Sequence, residues 1–228
     1  MIIGSNFVYL HVPKTGGTSF CRMMKDRHRY EETLSPIRDE HNTARDIPHN
    51  IRDTHFIFGL MRDPIKAEAS NYYYHTTSWK ENCSPDFSFE HWCEWRFGGK
   101  PREWASPWIS DPSPLEYGHI FSVRPSAGYF CDENGECIAS HIYRFEDMAK
   151  SMEEIGRTIG LDCNLEDYHV LKSKSKAKPK PVVTDRCVEL IRKAKPMDFI
   201  IYYTQGDIPT NYRCKTVDKY SYTRPEDD

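Results

Sequence analysis

No apolar run in the 228-residue chain approaches the ~18–20 residues that a helix needs to cross a bilayer. The opening residues 1–6 are too few and too polar for the hydrophobic segment of a secretory leader, so the chain reads as soluble and uncleaved. An excess of one charge is also missing. The 31 Lys+Arg and 34 Asp+Glu leave a formal charge of −3. Without a global positive field, nonspecific nucleic-acid binding has no basis, and any anion site must be local. The eight cysteines, at 21, 83, 93, 131, 137, 163, 187 and 214, include no Cys-x-x-Cys pair. That spacing argues against zinc ribbons and thioredoxin-like chemistry, and no metal is expected. Cys131 and Cys137 flank the turn-forming Asp132-Glu133-Asn134-Gly135. They read either as a disulfide across a hairpin or, in a reducing cytosol, as two half-buried thiols. No internal repeat is visible, and 38% hydrophobic residues over this length suit one domain.

What is present reads as an α/β chain. The run Phe7-Val8-Tyr9-Leu10-His11-Val12, stopped by Pro13, predicts a short buried strand. A glycine loop follows, and from Thr18 or Ser19 the pattern turns helical, with Phe20, Met23 and Met24 on one side. Residues 39–52 predict a short surface helix disturbed by Pro48. His55–Met61 is nearly continuous in apolar character, as in a parallel strand covered on both faces. It runs into Arg62-Asp63-Pro64, with Asp63 as N-cap and Pro64 at the first position of a helix to about Tyr74. All five tryptophans, at 79, 92, 95, 104 and 108, fall in a partly helical excursion. Residues 129–131 and 137–143 predict a hairpin delivering Arg144-Phe145-Glu146. A helix then runs from the Asp147 cap to about Ile159, stopped by Gly160, and a last one, interrupted by Pro196, spans 184–203.

Two motifs carry chemistry. In Pro13-Lys14-Thr15-Gly16-Gly17-Thr18-Ser19, glycines allow an anion to approach the backbone. The first helical turn points N–H groups and a dipole at it, and Lys14 adds a full charge. This is not the Gly-Lys-Ser/Thr loop of kinases and ATPases, because the lysine precedes the glycines. The alternative is a tight turn with incidental Lys and Thr. In the second motif, Arg62-Asp63-Pro64 and then Ser70, an arginine leaves the carboxyl end of a strand and a hydroxyl follows two helical turns on. Ligands of open α/β sheets gather at that edge. The plainer reading is an N-capped helix with a surface arginine.

Together these motifs resemble the sulfotransferases that use 3′-phosphoadenosine 5′-phosphosulfate (PAPS), in the carbohydrate branch that includes heparan sulfate 2-O-, 6-O- and chondroitin sulfotransferases. Tyr143-Arg144-Phe145-Glu146-Asp147 is similar to a segment of the same family, so the resemblance spans residues 7–203 and fades at 76–128. It implies a P-loop-like three-layer sandwich with a central, mostly parallel sheet flanked by helices. It also implies that Lys14, Thr15, Gly16, Gly17, Thr18 and Ser19 hold the 5′-phosphosulfate, while Arg62 and Ser70 hold the 3′-phosphate. Residues 1–228 would be a single sulfotransferase domain, with a variable acceptor-side insertion at 76–128, a mobile Lys-rich loop at 172–181 and a frayed end at 213–228.

The implied reaction moves the sulfuryl group of PAPS in line onto a carbohydrate hydroxyl, leaving 3′-phosphoadenosine 5′-phosphate (PAP), with no metal. Lys14 would stabilise the leaving group. A histidine suits the base, its unperturbed pKa being ~6.5. His41 is the candidate, lying between the two motifs where the related enzymes place a catalytic histidine. His11, His49, His55 and Glu40 are alternatives, and a plain surface-helix histidine is the bland reading. Tyr72, Tyr73, Tyr74 and the tryptophans read mainly as core, with stacking on sugar rings as the second reading. The lysine-rich loop reads as a solvated linker or as a flap over nucleotide or glycan. Competing functions are a non-catalytic protein that binds the nucleotide or anionic glycans on the same fold and, less favoured, a P-loop kinase. Expected partners are a carbohydrate or other hydroxyl-bearing acceptor, without nucleic acid or membrane. The expected location is cytoplasmic or soluble, in a bacterial or viral-type member. The Golgi lumen applies only to a chain trimmed of an N-terminal anchor.

Overall fold

The structure, a computed structural model, describes residues 1–30, 41–78, 84, 86–99, 125–165 and 180–204. Most of the lysine-rich loop, the C-terminal residues 213–228, Glu40, Trp79, Trp104, Trp108 and much of the 76–128 insertion lie outside the described residues. The described chain forms two compact units. The first holds residues 1–63, 126–165 and 200–204, and the second 64–99, Pro125 and 180–199.

The first unit is built on a sheet with strand order β1-β2-β3-β4. Its strands are β1 (Ile2–Ile3), β2 (Phe7–Leu10), β3 (Phe56–Met61) and β4 (His141–Arg144). β2, β3 and β4 run parallel, in a register that places Leu10 beside Gly59 and Met61 beside Arg144. The α/β class and the mostly parallel sheet are as expected. β1 is an addition that residues 1–6 gave no reason to expect. It pairs antiparallel with β2, and the turn closes through a Gly4 N–H to Phe7 carbonyl bond of 2.8 Å.

The two-residue period of the strands sets what covers the sheet. Phe7, Tyr9, Phe58, Leu60 and Tyr143 share one face. They pack against Phe20, Met23 and Met24 of α1 (Gly17–His28) and Met152, Ile155 and Ile159 of α5 (Met148–Ile159). Val8, Leu10, Ile57 and Ile142, which point the other way, are buried too. Burial on both faces explains why these strands read as unbroken apolar runs.

Three expectations change. β2 stops at Leu10, leaving His11 and Val12 as buried connecting chain. Pro48 does not disturb a helix but precedes one, the single turn α2 (His49–Arg52), after a 3-10 turn at Ala44–Asp46. The hairpin shrinks to one bridge, Cys131 with Cys137, around a turn whose Asp132 carboxylate accepts from the Asn134 and Glu136 N–H groups, each at 2.9 Å. Both cysteines carry thiols, and Cys131 donates to the Ala127 carbonyl at 3.4 Å. His141–Arg144 instead joins the central sheet, where β3 offers a ladder of parallel hydrogen bonds and burial for Ile142 and Tyr143. The break at Pro196 and the stop at Gly160 are as read.

The second unit is helical: α3 (Pro64–Ser78), α4 (Phe89–Phe97), α6 (Asp185–Ala194) and the start of α7 (Pro196–Tyr203). α3 runs four residues past the expected Tyr74. Phe87, Phe89, Trp92, Cys93, Cys187, Leu190 and Ile191 form its core, so Trp92 takes the core reading. At its centre Glu68 of α3 is fully buried. One carboxylate oxygen accepts from the Trp92 indole N–H at 2.8 Å and faces Arg96 Nε at 3.0 Å, and the other accepts from Lys195 Nζ at 2.9 Å. Burial alone would push this carboxyl upward. The Lys195 and Arg96 charges, with the Lys195 and Trp92 hydrogen bonds, outweigh that and hold it well below the usual carboxylate range.

Removing one member of such a cluster strands the others in a dry core. Glu68→Ala should lower unfolding stability by about 3–5 kcal/mol, read from the urea midpoint. Because the folded-state pKa lies below the unfolded ~4.3, the Glu68 contribution is present above that pH. It is lost as pH falls toward about 2, so the stability gap between wild type and variant should close under acid.

Candidate active site

The carboxyl ends of β2, β3 and β4 lie at one edge of the sheet, and each delivers part of the site. After β2, the chain makes a loop in which Lys14 (φ 65°) and Gly16 (φ 75°) adopt the left-handed conformation. The Thr15 hydroxyl donates to the Val12 carbonyl at 2.7 Å, so its proton is committed to holding the loop. Gly16 is required twice, by its φ and because a Cβ there would lie 2.9 Å from the Phe145 ring. At Gly17 a Cβ would fall within the ring of His11.

α1 starts at Gly17 with Gly16 as N-cap, no side-chain capping bond and no acidic residue in its first turn. The Ser19 and Phe20 N–H groups bond back to the Gly16 carbonyl at 3.0 and 3.4 Å. The Gly17 and Thr18 N–H groups, at the positive end of the dipole, are the ones a helix start leaves for an outside acceptor.

Arg62, following β3, turns toward this loop. Its guanidinium lies 4.9 Å from the centre of the Phe145 ring, and Nη1 makes a long 3.4 Å contact with the Lys14 carbonyl. Nε is buried with no hydrogen-bond partner among the described residues. Burial first, and the Arg62 charge second, lower the Lys14 ammonium from its ordinary range to about 8. Burial also lowers Arg62, opposed by Glu146, Asp63 and Tyr202. An uncapped helix start, a lysine pressed toward neutrality and an arginine with an orphaned buried N–H form a site short of negative charge. An oxyanion placed there would offset the repulsion between the two cations and accept from the Arg62 Nε.

His41 also belongs to this unit. Its ring meets that of His11 edge to face at 4.4 Å, and the His11 ring in turn fills the space beside Gly17. Downstream of His41, Thr43 is pinned through its N–H to the Asp46 carboxylate at 2.8 Å. Among the other histidine candidates, His11 is buried, with Nδ1 3.7 Å from Cys21 Sγ. His49 sits 80% exposed near Glu133, and His55 Nδ1 is 2.9 Å from the Thr54 hydroxyl. The structure thus brings together Lys14, Thr15–Ser19 and Arg62, and sets His41 against His11, whose ring lies beside Gly17. Ser70 lies on α3 in the second unit, half-buried.

Several neighbours of the site were not assigned from the sequence. The Glu146 carboxylate accepts from the Asp63 N–H at 3.3 and 3.4 Å. Tyr203 donates to the Asp63 carboxylate at 3.2 Å. The Arg144 guanidinium donates to the Tyr202 carbonyl at 3.1 and 2.7 Å. Nothing in the local pattern signals these contacts, which join residues 58 to 140 positions apart. Among the described residues no cluster of His, Cys, Asp and Glu could hold a metal ion, and no helix is long and apolar enough to cross a membrane.

Fold and site define an α/β protein with a lysine- and glycine-bearing loop at an uncapped helix start. Compared with known families, the chain matches the Sulfotransferase family over residues 4–180, and it belongs to that family. No curated protein and no solved structure matches the chain. The family's reaction is the transfer of a sulfuryl group, and its members generally use PAPS.

Binding of inorganic pyrophosphate, an oxyanion probe, should weaken as pH rises above about 8, where free Lys14 loses its proton and binding must restore it. Titration calorimetry should show proton uptake on binding and a loss approaching tenfold per pH unit. Lys14→Ala should bind more weakly and lose this dependence. An affinity that stays flat from pH 7 to 10 in the wild type would contradict the assignment of Lys14.

Proposed function

We propose that the protein transfers the sulfuryl group of PAPS to a hydroxyl of a carbohydrate acceptor by in-line displacement. The observation that carries this reading is the convergence of Lys14 and Arg62, 48 positions apart, on an uncapped helix start. The orphaned Arg62 Nε supports an anionic group at this site. A donor with phosphates on both the 3′ and 5′ positions calls for cations from more than one motif and no metal, unlike ATP.

When bound, PAPS supplies an activated sulfuryl group whose departure leaves charge on a phosphate oxygen. Lys14 and the N–H groups of the first turn of α1 stabilise that charge, which needs donors placed beforehand rather than recruited from water. Arg62 would hold the 3′-phosphate through its Nε, and the second motif assigns the Ser70 hydroxyl to the same phosphate. His41 takes the proton of the acceptor hydroxyl. Its contact with His11, which packs at the start of α1, supports that role over His49 and His55. The carbohydrate acceptor rests on the likeness of the two motifs and the Arg144-Phe145-Glu146-Asp147 segment to the carbohydrate branch.

The test is sulfate transfer from labelled PAPS to a panel of glycans, run beside calorimetry with PAP and with ATP plus magnesium. PAP should bind more tightly than ATP, and the reverse would overturn the donor assignment. His41→Ala should lower kcat by roughly 10²–10⁴-fold while leaving the Kd for PAP unchanged. Full turnover in that variant would remove His41 from the mechanism. Donor binding without transfer to any hydroxyl acceptor would favour a non-catalytic binding protein.

A further inference from the structure

The guanidinium of Arg62 must be held against the loop at some energetic cost, because Lys14 repels it and burial disfavours its charge. What holds it comes from the end of the neighbouring strand. Phe145, directly after β4, lies under the guanidinium at 4.9 Å. Glu146 accepts from the Asp63 N–H, so the backbone directly after Arg62 is tied to the side chain of the residue directly after Phe145. Tyr203 of α7 donates to the Asp63 side chain at 3.2 Å. Arg144 in turn fixes the α7 backbone through the Tyr202 carbonyl and stacks on the Tyr202 ring at 4.9 Å.

Glu146 itself is exposed, so it adds little to the core. Both of its oxygens face the Asp63 N–H, which blunts its repulsion of an incoming anion. Without it, Arg62 would keep its charge but lose the partner that fixes its backbone, and its side chain has several rotatable bonds over which to spread. The ring of Phe145 limits the guanidinium in one direction only.

We infer that Glu146, bonded to the Asp63 N–H, is a positioning residue that sets Arg62 for the 3′-phosphate of the donor. It acts through Arg62 and makes no contact with the nucleotide itself. The inference rests on the PAPS reading above and extends it to residues that the motifs leave without a role.

The experiment compares PAP with adenosine 5′-phosphate, which lacks the 3′-phosphate, by calorimetry on the full chain. The wild type should prefer PAP. Glu146→Ala should raise the Kd for PAP about tenfold, a usual size for losing an orienting partner, and leave adenosine 5′-phosphate unchanged. Glu146→Gln, which keeps an acceptor for the Asp63 N–H, should recover most of the preference. Equal weakening of both ligands in Glu146→Ala would mean a general structural effect and would overturn the inference, as would an unchanged preference. A wild type that does not distinguish the two ligands would overturn the donor assignment itself. Circular dichroism melts of each variant separate misfolding from a local effect.

Discussion

The first unit is organised around two like charges kept beside each other out of water. Lys14 and Arg62 repel, and partial burial removes the solvent that would screen them. Such a pair persists only where the rest of the fold fixes both members. Lys14 is fixed by a left-handed backbone, by the Thr15 hydroxyl bond to Val12 and by a helix that begins three residues later. Arg62 is fixed by its exit from β3, by Phe145 beneath it and by the ties around Asp63. The arrangement resembles a catalytic site more than a structural one, because the unfavourable terms are local and an oxyanion relieves all of them at once.

Parallel strand geometry makes this economical. Three consecutive neighbours, β2, β3 and β4, end at the same edge, so each following segment arrives there without a long connection. The loop, Arg62 and the Phe145-Glu146 pair therefore meet although they lie far apart in the chain. The glycines at 16 and 17 are part of the same fit, since the Phe145 and His11 rings occupy the space that side chains would need.

The second unit answers the same electrostatic problem in the opposite way. Glu68 is drier than either cation of the loop, yet its charge is matched by Lys195 and Arg96 and its oxygens by hydrogen bonds. Matched charge stabilises an ionised carboxylate in the core. At the loop two cations stand side by side, and burial disfavours both.

The sequence by itself determined the elements and the chemistry of the loop. Buried parallel strands announce themselves as short apolar runs, and a lysine before two glycines at a strand-to-helix turn needs no partner to be read. Arg62 was legible for the same reason, as a charged residue at the end of such a run. The sequence misjudged where a segment lacked a local signal. Pro48 suits a helix start as well as a helix break, and His141–Arg144 has the pattern of a hairpin strand although β3 offers it a better partner. Only the tertiary structure decided that Glu146, Tyr202 and Tyr203 surround the Arg62-Asp63 pair, that His11 lies between His41 and the start of α1, and that Glu68 has two cationic partners. Each of these depends on contacts between residues distant in the chain. Local propensity and spacing carry no information about such contacts until the sheet fixes which ends come together.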